Sequence, residues 1–279
     1  MINIATLATC HNRIEFTRSS LTSLYNQIDN QKIFSFTHII VDDGSTDGTL
    51  DMISKEFPEV RVIKGDGNLY WAGGMRLGWE NISNTLDFDY LFAYNDDVTF
   101  QLDAISSLIN ALSRISSKVP GKSTVITGDF KDPNSDCLTY GGLVRNSICN
   151  PLSFQTDTRG ALDPIKVDTV NMNGCLIGAD VLNEIGFLAS YFVHGGADLE
   201  FGLRAAKAEK LMVLRLPKVL GFCERNPPLQ LRGSIKDKWA KLRSEKCQPV
   251  AQRYIFYKKY GGIFWRWFYI RYYLKAFIL

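Results

Sequence analysis

Two acidic clusters, about fifty residues apart, constrain the fold of this chain more than any other feature. The clusters are residues 42–47 (DDGSTD) and 95–97 (NDD), and each directly follows a short apolar run, residues 37–41 and 90–94. Such runs predict buried strands, so both sets of carboxylates are expected where a strand ends. In open α/β sheets ligands bind at the carboxyl ends of the strands. The pattern therefore predicts a site for a hard cation or for the hydroxyls and imide of a nucleoside.

Apolar runs alternate with helical spacing through the first hundred residues. This alternation predicts an α/β fold in which a mostly parallel sheet is flanked by helices on both faces. Residues 131–164 are rich in Asn, Asp, Ser, Gly and Pro and predict hairpins and loops. The expected strands are 2–8, 37–41, 60–63, 90–94, 124–128 and 167–177, and the expected helices are 15–25, 49–57, 102–115, 179–185 and a glycine turn entering a helix at 194–207.

The charge distribution divides the chain into two unequal parts. Residues 232–279 hold 12 Lys or Arg against 2 acidic residues, whereas the rest holds 20 basic and 27 acidic residues. A length of 279 residues favours one large domain with an appendage over two equal domains. We predict a main domain over residues 1–230 and a basic, aromatic, helical extension over residues 231–279.

The six cysteines indicate a reducing compartment. They form no CxxC pair and lie singly in apolar or loop contexts, which argues against a zinc ribbon and against a disulfide scaffold. Residues 1–8 lack both a charged region and an apolar stretch long enough for a signal peptide, and they predict a first strand instead. We therefore expect a cytoplasmic protein.

Four elements together resemble one known family. They are Thr9-Cys10-His11-Asn12-Arg13, the VDDGSTDGT run at residues 41–49, the cluster at 95–97 and the Gly-Ala-Asp helix entry at 196–198. Their order and spacing over residues 2–225 are similar to those of family 2 inverting glycosyltransferases of the GT-A fold. Residues 257–265 are similar to bacterial surface-polysaccharide members, of the rhamnosyltransferase-like type. The resemblance implies that residues 1–230 are a GT-A catalytic domain.

The resemblance implies a donor site for a UDP- or dTDP-sugar. Asp42 would accept from the N3 imide of uracil or thymine, and Asp96 would hold the ribose. The alternative is that Asp42 and Asp43 only shape the Asp-Gly turn. We expect the nearby Asp43, Ser45 and Asp47 to shape the loop. The other expected donor contacts are Thr9, Arg13, Gly73 and Arg76.

The resemblance also implies a divalent metal, Mn²⁺ or Mg²⁺, held by Asp97 at the donor diphosphate. Such an ion neutralises the charge that grows on the leaving group. A helix cap is the alternative role, but Asp97 lies too far before the helix expected at residue 102. Many members supply a late His ligand, and residues 222–225 contain none. Either Glu224 substitutes for it, or Asp97 and the phosphates hold the metal without it.

Asp198 matches the catalytic base of the family. An inverting transfer needs one carboxylate to take the proton of the attacking acceptor hydroxyl. The alternative is an ordinary helix-capping aspartate. Relatives often carry two adjacent acids here, whereas this chain has Ala197 before Asp198, and Glu200 would point to another side of the helix. His194 could orient the acceptor or the base, or could simply be hydrogen-bonded near its turn.

Residues 253–279 interleave basic and aromatic side chains and contain no acid. Their charges interrupt every window long enough to span a bilayer. The composition suits a helix lying on an anionic membrane surface, at the inner face of the cell membrane. The alternative is packing on the catalytic domain or on a second copy in a homodimer. We do not expect nucleic acid binding, because no known binding fold surrounds these charges.

The sequence thus predicts a metal-dependent, inverting, non-processive glycosyltransferase acting on a lipid-linked glycan in O-antigen or capsule synthesis. Processive relatives carry a Gln-x-x-Arg-Trp motif, which residues 230–233 do not complete. Two alternatives stay open at this point. One is a nucleotidylyltransferase, although the loop after the first strand is not glycine-rich. The other is a non-catalytic scaffold or membrane-binding protein, which the missing second acid and the missing late His would suit.

Overall fold

The structure is a computed structural model that describes residues 1–27, 33–227 and 229–278. Strands and helices alternate through the first hundred residues, as predicted. The strands are Ile2–Cys10 (β1), Phe34–Asp42 (β2), Arg61–Lys64 (β3), Tyr90–Tyr94 (β4), Thr99–Phe100 (β5), Ser123–Lys131 (β6), Leu138–Tyr140 (β7), Gly142–Arg145 (β8), Phe154–Thr156 (β9), Ile165–Lys166 (β10), Thr169–Val170 (β11), Gly174–Gly178 (β12) and Leu211–Phe222 (β13).

Helices of the main domain carry apolar residues at the spacing that turns one face toward the sheet, and further helices follow in the C-terminal extension. They are Ile14–Tyr25 (α1), Thr49–Glu56 (α2), Tyr70–Thr85 (α3), Ala104–Lys118 (α4), Ala179–Ile185 (α5), Ala197–Lys207 (α6), Ile235–Leu242 (α7), Val250–Tyr260 (α8) and Trp265–Ile278 (α9). A short 3₁₀ turn, Glu245–Cys247, precedes α8. No helix among the described residues is both long enough and apolar enough to cross a membrane.

The central sheet confirms the predicted α/β class. Its order is β10-β13-β6-β12-β4-β1-β2-β3, with β5 and β7 added beside β13 and β6. β4, β1, β2 and β3 run parallel to one another, as do β6 and β13. The strand expected at 167–177 is instead two strands, β11 and β12, because the Asn171–Asn173 segment leaves the ladder, and Asn is disfavoured in strands.

Two apolar layers cover the sheet, one on each face. Successive side chains of β1 alternate between them: Ala5 and Leu7 join the layer beneath α3, whereas Ile4 and Ala8 join the layer beneath α1 and α4. Burial on both faces explains why these strands read as continuous apolar runs rather than as alternating ones.

Helix α6 is held against the second, three-stranded sheet, whose order is β11-β8-β9. The Thr169 hydroxyl donates to the backbone oxygen of Leu199 at 2.9 Å. A Cβ at Gly202 would lie 2.9 Å from the Cα of Thr169, so only glycine allows this approach. The contact fixes the direction in which α6 presents its first turn.

The C-terminal helices pack partly on the main domain and partly on each other. Phe256 and Tyr260 of α8 belong to the same apolar cluster as α3 and α6, whereas Leu242, Tyr273 and Ala276 form a small cluster between α7 and α9. The division at residue 230 stays a prediction. Helix α8 nevertheless contributes to the core of the main domain.

Buried His38 makes the stability of this fold depend on pH. Burial lowers the pKa of His38 to about 4, and its Nδ1 is hydrogen-bonded to the Thr6 hydroxyl at 2.9 Å. Because the unfolded histidine takes up a proton as the pH falls below its ordinary pKa and the folded one does not, stability is lost in that direction. Urea unfolding should show a loss of about 2 kcal/mol from roughly pH 7 to pH 5.

The variant His38→Phe keeps the ring stacking with Phe36 and Tyr25 but cannot titrate. Its free energy of unfolding should fall less than that of the unsubstituted chain over the same interval. Parallel curves for the two proteins would show that another group causes the pH dependence.

Candidate functional site

Parallel pairing places the first acidic cluster beside the loop that follows β1. Asp42 is the last residue of β2 and pairs with Cys10, the last residue of β1. It is 1% exposed. One carboxylate oxygen accepts from the backbone N–H of Ser45 at 3.2 Å, and the other lies 3.5 Å from the Cys10 thiol. Each oxygen has a second lone pair, so Asp42 retains acceptor capacity for a ligand.

Asp43 organises the loop, as the sequence indicated. Its two oxygens accept from the backbone N–H groups of Gly67 and Tyr70, each at 2.9 Å. Tyr70 has a positive φ of 54° and opens α3. Asp43 therefore attaches the start of α3 to the end of β2, with one backbone N–H group bound to each carboxylate oxygen.

Side chains of Asn12, Ser45 and Asp47 tie the loops after β1 and β2 together. The Asn12 side-chain oxygen accepts from the Thr46 N–H at 2.7 Å, and the Ser45 hydroxyl accepts from the Asn12 N–H at 2.9 Å. Asp47 accepts from the N–H of Ile14 at 3.0 Å. These bonds hold Arg13 between the two loops.

Arg13 joins the loop after β1 to the second acidic cluster. Its two terminal nitrogens lie 3.0 Å from Asp96 and 2.7 Å from Asp97, in a forked ion pair. The guanidinium also lies over the ring of Phe16, 4.9 Å from its centroid. Arg13 lies in the loop after β1, whereas Asp96 and Asp97 lie in the loop after β4, and the parallel register of β1 and β4 brings the two loops together.

Asp96 is the least solvated carboxylate of the cluster. It is 4% exposed, and its second oxygen has no hydrogen-bond partner. Burial raises the pKa of Asp96 to about 7; the positive charge of Arg13 opposes this rise, and the charge of Asp97 adds to it. A buried carboxylate oxygen without a partner is costly unless a ligand satisfies it.

Asp97 contacts Cys223, which sequence reasoning missed. The Cys223 thiol lies 3.4 Å from Asp97, and the Asn173 side-chain amide lies 3.5 Å from the same sulfur. Glu224 is exposed, and its backbone oxygen lies 3.5 Å from that sulfur. No sequence pattern indicated this contact, because Cys223 is a lone cysteine after a long strand. Only the pairing of β13 with β6 and β5 brings Cys223 to Asp97.

The residues at this edge of the sheet supply few metal ligands, so they suit a cation that takes the rest from phosphates and water. Among the described residues no group of three or more His, Cys, Asp and Glu is arranged to hold a metal ion. Asp97 and the unpartnered oxygen of Asp96 are hard oxygen donors. Mg²⁺ is commonly held by one or two carboxylates together with phosphates and water, so this donor set fits such an ion.

Thr9 and the glycines of α3 meet beneath this edge. The Thr9 hydroxyl is buried without a partner, and a Cβ at Gly74 would collide with its side chain. Gly73 is also buried in α3. Arg76 donates to the backbone oxygens of Ala189 and Phe192, at 3.2 Å and 2.6 Å. The prediction that Gly73 and Arg76 contact a donor stays a prediction, and the Arg76 guanidinium is engaged in tying α3 to the loop before α6.

Asp198 lies in the first turn of α6, as the sequence predicted. One of its oxygens accepts from the Leu199 N–H at 2.9 Å, and the other accepts from the Asn171 side-chain amide at 3.3 Å. Burial raises the pKa of Asp198, and these hydrogen bonds partly oppose the rise. Asn171 and Asn173 belong to the segment that leaves the ladder before β12, and they reach Asp198 and Cys223 respectively. This segment connects the two acidic sites.

Glu200 faces away from Asp198, as helical geometry requires. It is 0% exposed and binds the Tyr260 hydroxyl at 2.7 Å, Lys259 at 3.0 Å and Arg204 at 3.1 Å. Burial alone would raise the pKa of Glu200, but its hydrogen bond from Tyr260 and the neighbouring positive charges outweigh burial and lower it. Glu200 therefore serves as a brace between α6 and α8.

The turn before α6 is clamped by residues of the C-terminal extension. The Gln248 side-chain amide donates to the Gly195 oxygen at 2.9 Å, and the Gln252 oxygen accepts from the Val193 N–H at 3.4 Å. Gln248 has a positive φ of 64°. His194 lies in this turn, its Nδ1 has no partner, and burial together with the charge of Lys246 lowers its pKa. The extension thus packs directly on the segment that leads to Asp198.

We predict that Glu200 contributes to stability more than any single exposed acid. Glu200→Gln removes a buried charge that three partners compensate, and should lower the free energy of unfolding by about 2–4 kcal/mol. Tyr260→Phe removes one hydroxyl and should cost about 1–2 kcal/mol. Denaturant unfolding measures both changes.

The matched control is Glu209→Gln, because Glu209 is exposed just beyond the end of α6. It should change stability by no more than about 0.5 kcal/mol. Equal effects for Glu200→Gln and Glu209→Gln would contradict the bracing role.

Comparisons with known proteins agree with this geometry. The model of the family described as "Glycosyl transferase family 2" matches residues 7–158, which is more than half of the chain. No protein of curated function matches the sequence. The match includes the end of β1, the whole of β2 with Asp42, β4, and the loops that carry Arg13, Asp96 and Asp97.

Solved structures of TarS from S. aureus share the fold. The fragment 1–349 in complex with UDP-GlcNAc is 14% identical, with a TM-score of 0.55 over 91% of this chain and 66% of that one. The same fragment with UDP gives 14% identity and a TM-score of 0.54 over 91% and 65%. A further structure of S. aureus TarS gives 14% identity and a TM-score of 0.55 over 92% of this chain and 42% of that one. The chain thus spans less than two thirds of the TarS structures that it matches.

Proposed function

This chain belongs to glycosyl transferase family 2, and from that membership we propose that it moves a sugar from a UDP- or dTDP-sugar to a hydroxyl of a lipid-linked glycan, with inversion and in a non-processive manner. One observation carries the proposal. Arg13, Asp42, Asp96 and Asp97 converge at the carboxyl edge of three adjacent parallel strands. Because the matching family consists of glycosyl transferases, the nucleotidylyltransferase alternative is not carried further.

In the proposed donor site, Asp42 recognises the base. Its remaining lone pairs suit an imide N–H, which uracil and thymine present and cytosine lacks. Arg13 has N–H donors beyond those that bond Asp96 and Asp97, and these would suit diphosphate oxygens, while Asp96 holds the ribose hydroxyls. The structures of TarS with UDP-GlcNAc and with UDP support uridine nucleotides as the first to test. The rhamnosyltransferase-like subtype rests on residues 257–265 and is part of the proposal.

Asp97, with Asp96 beside it, would hold Mn²⁺ or Mg²⁺. When bound, such an ion neutralises the charge that develops on the leaving diphosphate. The paired carboxylates, one with an unpartnered oxygen, support this assignment. The Cys223 thiol lies against the Asp97 oxygen that Arg13 does not bind, and the Asn173 amide contacts the sulfur of Cys223.

Asp198 is the proposed base. It would take the proton of the acceptor hydroxyl as that oxygen attacks the anomeric carbon and the nucleoside diphosphate leaves. A carboxylate whose pKa is raised by burial is a better proton acceptor than a solvated one. Asn171 fixes its orientation, since the Asn171 amide donates to one carboxylate oxygen.

The exposed face of α9 supports the proposed contact with an anionic membrane surface at residues 253–279. Helical positions three and four apart bring large apolar side chains to one face, and basic residues flank them. No acidic residue occurs after Glu245, which makes the region complementary to anionic headgroups. The exposed apolar residues are Trp267, Ile270, Leu274 and Phe277, and the exposed basic residues are Arg266, Arg271 and Lys275.

Nucleotide binding tests the donor site. UDP or dTDP should raise the melting temperature, more strongly with Mn²⁺, because a ligand that binds only the folded state stabilises it. CDP should not raise it, because cytosine lacks the imide N–H. Asp42→Asn should weaken UDP binding about tenfold, equivalent to about 1.4 kcal/mol, by removing a charged acceptor. Calorimetric titration measures the change.

Asp51→Asn is the matched control, because Asp51 is exposed on α2. It should bind UDP as the unsubstituted chain does. Absence of stabilisation by every nucleotide would refute the donor site, and equal weakening in both variants would remove the role of Asp42.

Substitution of the base tests the chemical step. Asp198→Asn should lower kcat by about 10²–10⁴-fold while leaving the melting shift with UDP unchanged, because the donor site is formed by other loops. Asp180→Asn is the control, since Asp180 is an exposed acid in the first turn of α5. Unchanged turnover in Asp198→Asn would remove the base assignment, and a loss of UDP binding would indicate a structural role instead.

A further inference from the structure

A cavity of about 330 Å³ lies between the turn before α6 and the C-terminal helices. The turn before α6 contributes Gly195 and Gly196 to its lining, and the segment just before α8 contributes Gln248. Helix α8 contributes Arg253, and α9 contributes Tyr272 and Lys275. Asp42, Asp96 and Asp97 are not among its lining residues. The cavity is therefore separate from the proposed donor site.

Within the described part of the chain, the cations that line the cavity have no carboxylate partner. Lys246, Arg253 and Lys275 line it, and the lining contains no Asp or Glu. Among the described residues, none of these three cations lies within 4.0 Å of a carboxylate oxygen, as the paired cations of the chain do. Three unpaired cations around one space produce a positive potential that favours an anion.

Arg253 is the buried member of this set. It is 9% exposed, and its guanidinium carbon lies 3.3 Å from the centroid of the Tyr272 ring. One terminal nitrogen donates to the backbone oxygen of Cys247 at 2.8 Å, whereas Nε has no partner. A buried guanidinium with an unsatisfied N–H and no counter-charge is costly unless an anion binds beside it.

The position of the cavity relates it to the acceptor. Gly195 and Gly196 precede Asp198 by three and two residues, and the Gln248 amide that lines the cavity holds the Gly195 oxygen. An anion bound here would lie next to the turn that carries the proposed base. The phosphates of the sugar donor are assigned to a different site, the proposed donor site at Arg13 and Asp97.

Helix α9 relates the same cavity to a lipid surface. Tyr272 and Lys275 line the cavity, whereas Trp267, Ile270, Leu274 and Phe277 are exposed. At about 100° per residue, these four positions cluster on the side of the helix opposite Tyr272. One helix thus combines an exposed apolar face, which suits a lipid surface, with one cation of the cavity, Lys275.

We propose that this cavity binds the phosphate or diphosphate group that links the acceptor glycan to its lipid. The proposal rests on the proposed glycosyltransferase function, of which it specifies the acceptor. Arg253 supplies a planar fork of donors, and Lys246 and Lys275 supply mobile charges, the two kinds of group that proteins use for phosphate. The bound phosphate positions the glycan so that its hydroxyl reaches Asp198.

Binding of inorganic pyrophosphate to the full chain, without added metal, tests the cavity. The double variant Lys246→Gln, Lys275→Gln removes two exposed charges and leaves the buried Arg253 in place. Calorimetric titration should show at least about tenfold weaker binding than in the unsubstituted chain. The matched control is Lys236→Gln, Lys258→Gln, which removes two exposed lysines that do not line the cavity and should bind normally. Equal affinity in the two double variants, or no binding to the unsubstituted chain, would overturn the proposal.

Vesicle sedimentation distinguishes a lipid-linked phosphate from other anions. Phosphatidylcholine vesicles would carry either a long-chain prenyl diphosphate or phosphatidylglycerol at the same total charge. The prenyl diphosphate should retain more protein, and the excess should vanish in Lys246→Gln, Lys275→Gln. Trp267→Ser, Phe277→Ser should weaken retention by both vesicles. Equal retention by both vesicles, or self-association through α9 without vesicle binding, would overturn the lipid-linked assignment.

The nucleotide titration separates this proposal from the function on which it rests. Lys246→Gln, Lys275→Gln should keep the melting shift with UDP, and its KM for a lipid-linked acceptor should rise with little change in kcat. A UDP shift without any pyrophosphate binding would refute the cavity alone. Lysine-dependent pyrophosphate binding without any nucleotide shift would refute the donor site and leave the cavity.

Discussion

The parallel register of β4, β1 and β2 is the constraint on which the site depends. It pairs Cys10 with Asp42 and Leu7 with Ala93, so the loops that follow the three strands emerge side by side. Parallel pairing requires helical crossovers between these strands, which cover both faces and exclude water from the ladder. Arg13 then spans the gap between two of these loops and compensates the charge of Asp96 and Asp97. Each ligand-binding candidate on this edge is thus positioned by backbone pairing beneath it.

A second set of contacts joins the C-terminal extension to α6 and to the turn before it. Glu200 and Asp198 share the first turns of α6 but face different surroundings: Glu200 is bound to α8 through Tyr260 and Lys259, and Asp198 is bound to Asn171. Gln248 and Gln252 hold the turn that leads into the helix. Whatever fixes α8 and α9 therefore also fixes the turn before Asp198. If the proposed function holds, this coupling lets the basic extension position an acceptor beside the proposed base.

Much of the candidate site could be predicted because its residues lie at strand ends and turns, where short sequence patterns indicate the local structure. Asp42, Asp97 and Asp198 each follow a strand end or a glycine turn, and such positions are recognisable in one sequence. The organising role of Asp43 also followed from turn chemistry, and its bonds to Gly67 and Tyr70 show it. Arg76 is different, since its engagement with Ala189 and Phe192 joins segments more than a hundred residues apart. No local pattern encodes such a contact.

The sequence by itself determined the fold class, the family and the position of the acidic clusters, because apolar periodicity and turn residues act over a few neighbours. Tertiary structure decided which groups meet. Cys223 reaches Asp97 only because β13 lies beside β6, and Arg253 reaches Tyr272 only because α9 folds back on α8. These contacts depend on the packing of distant segments, so burial and charge compensation, which decide what each side chain can do, appear only in the folded chain.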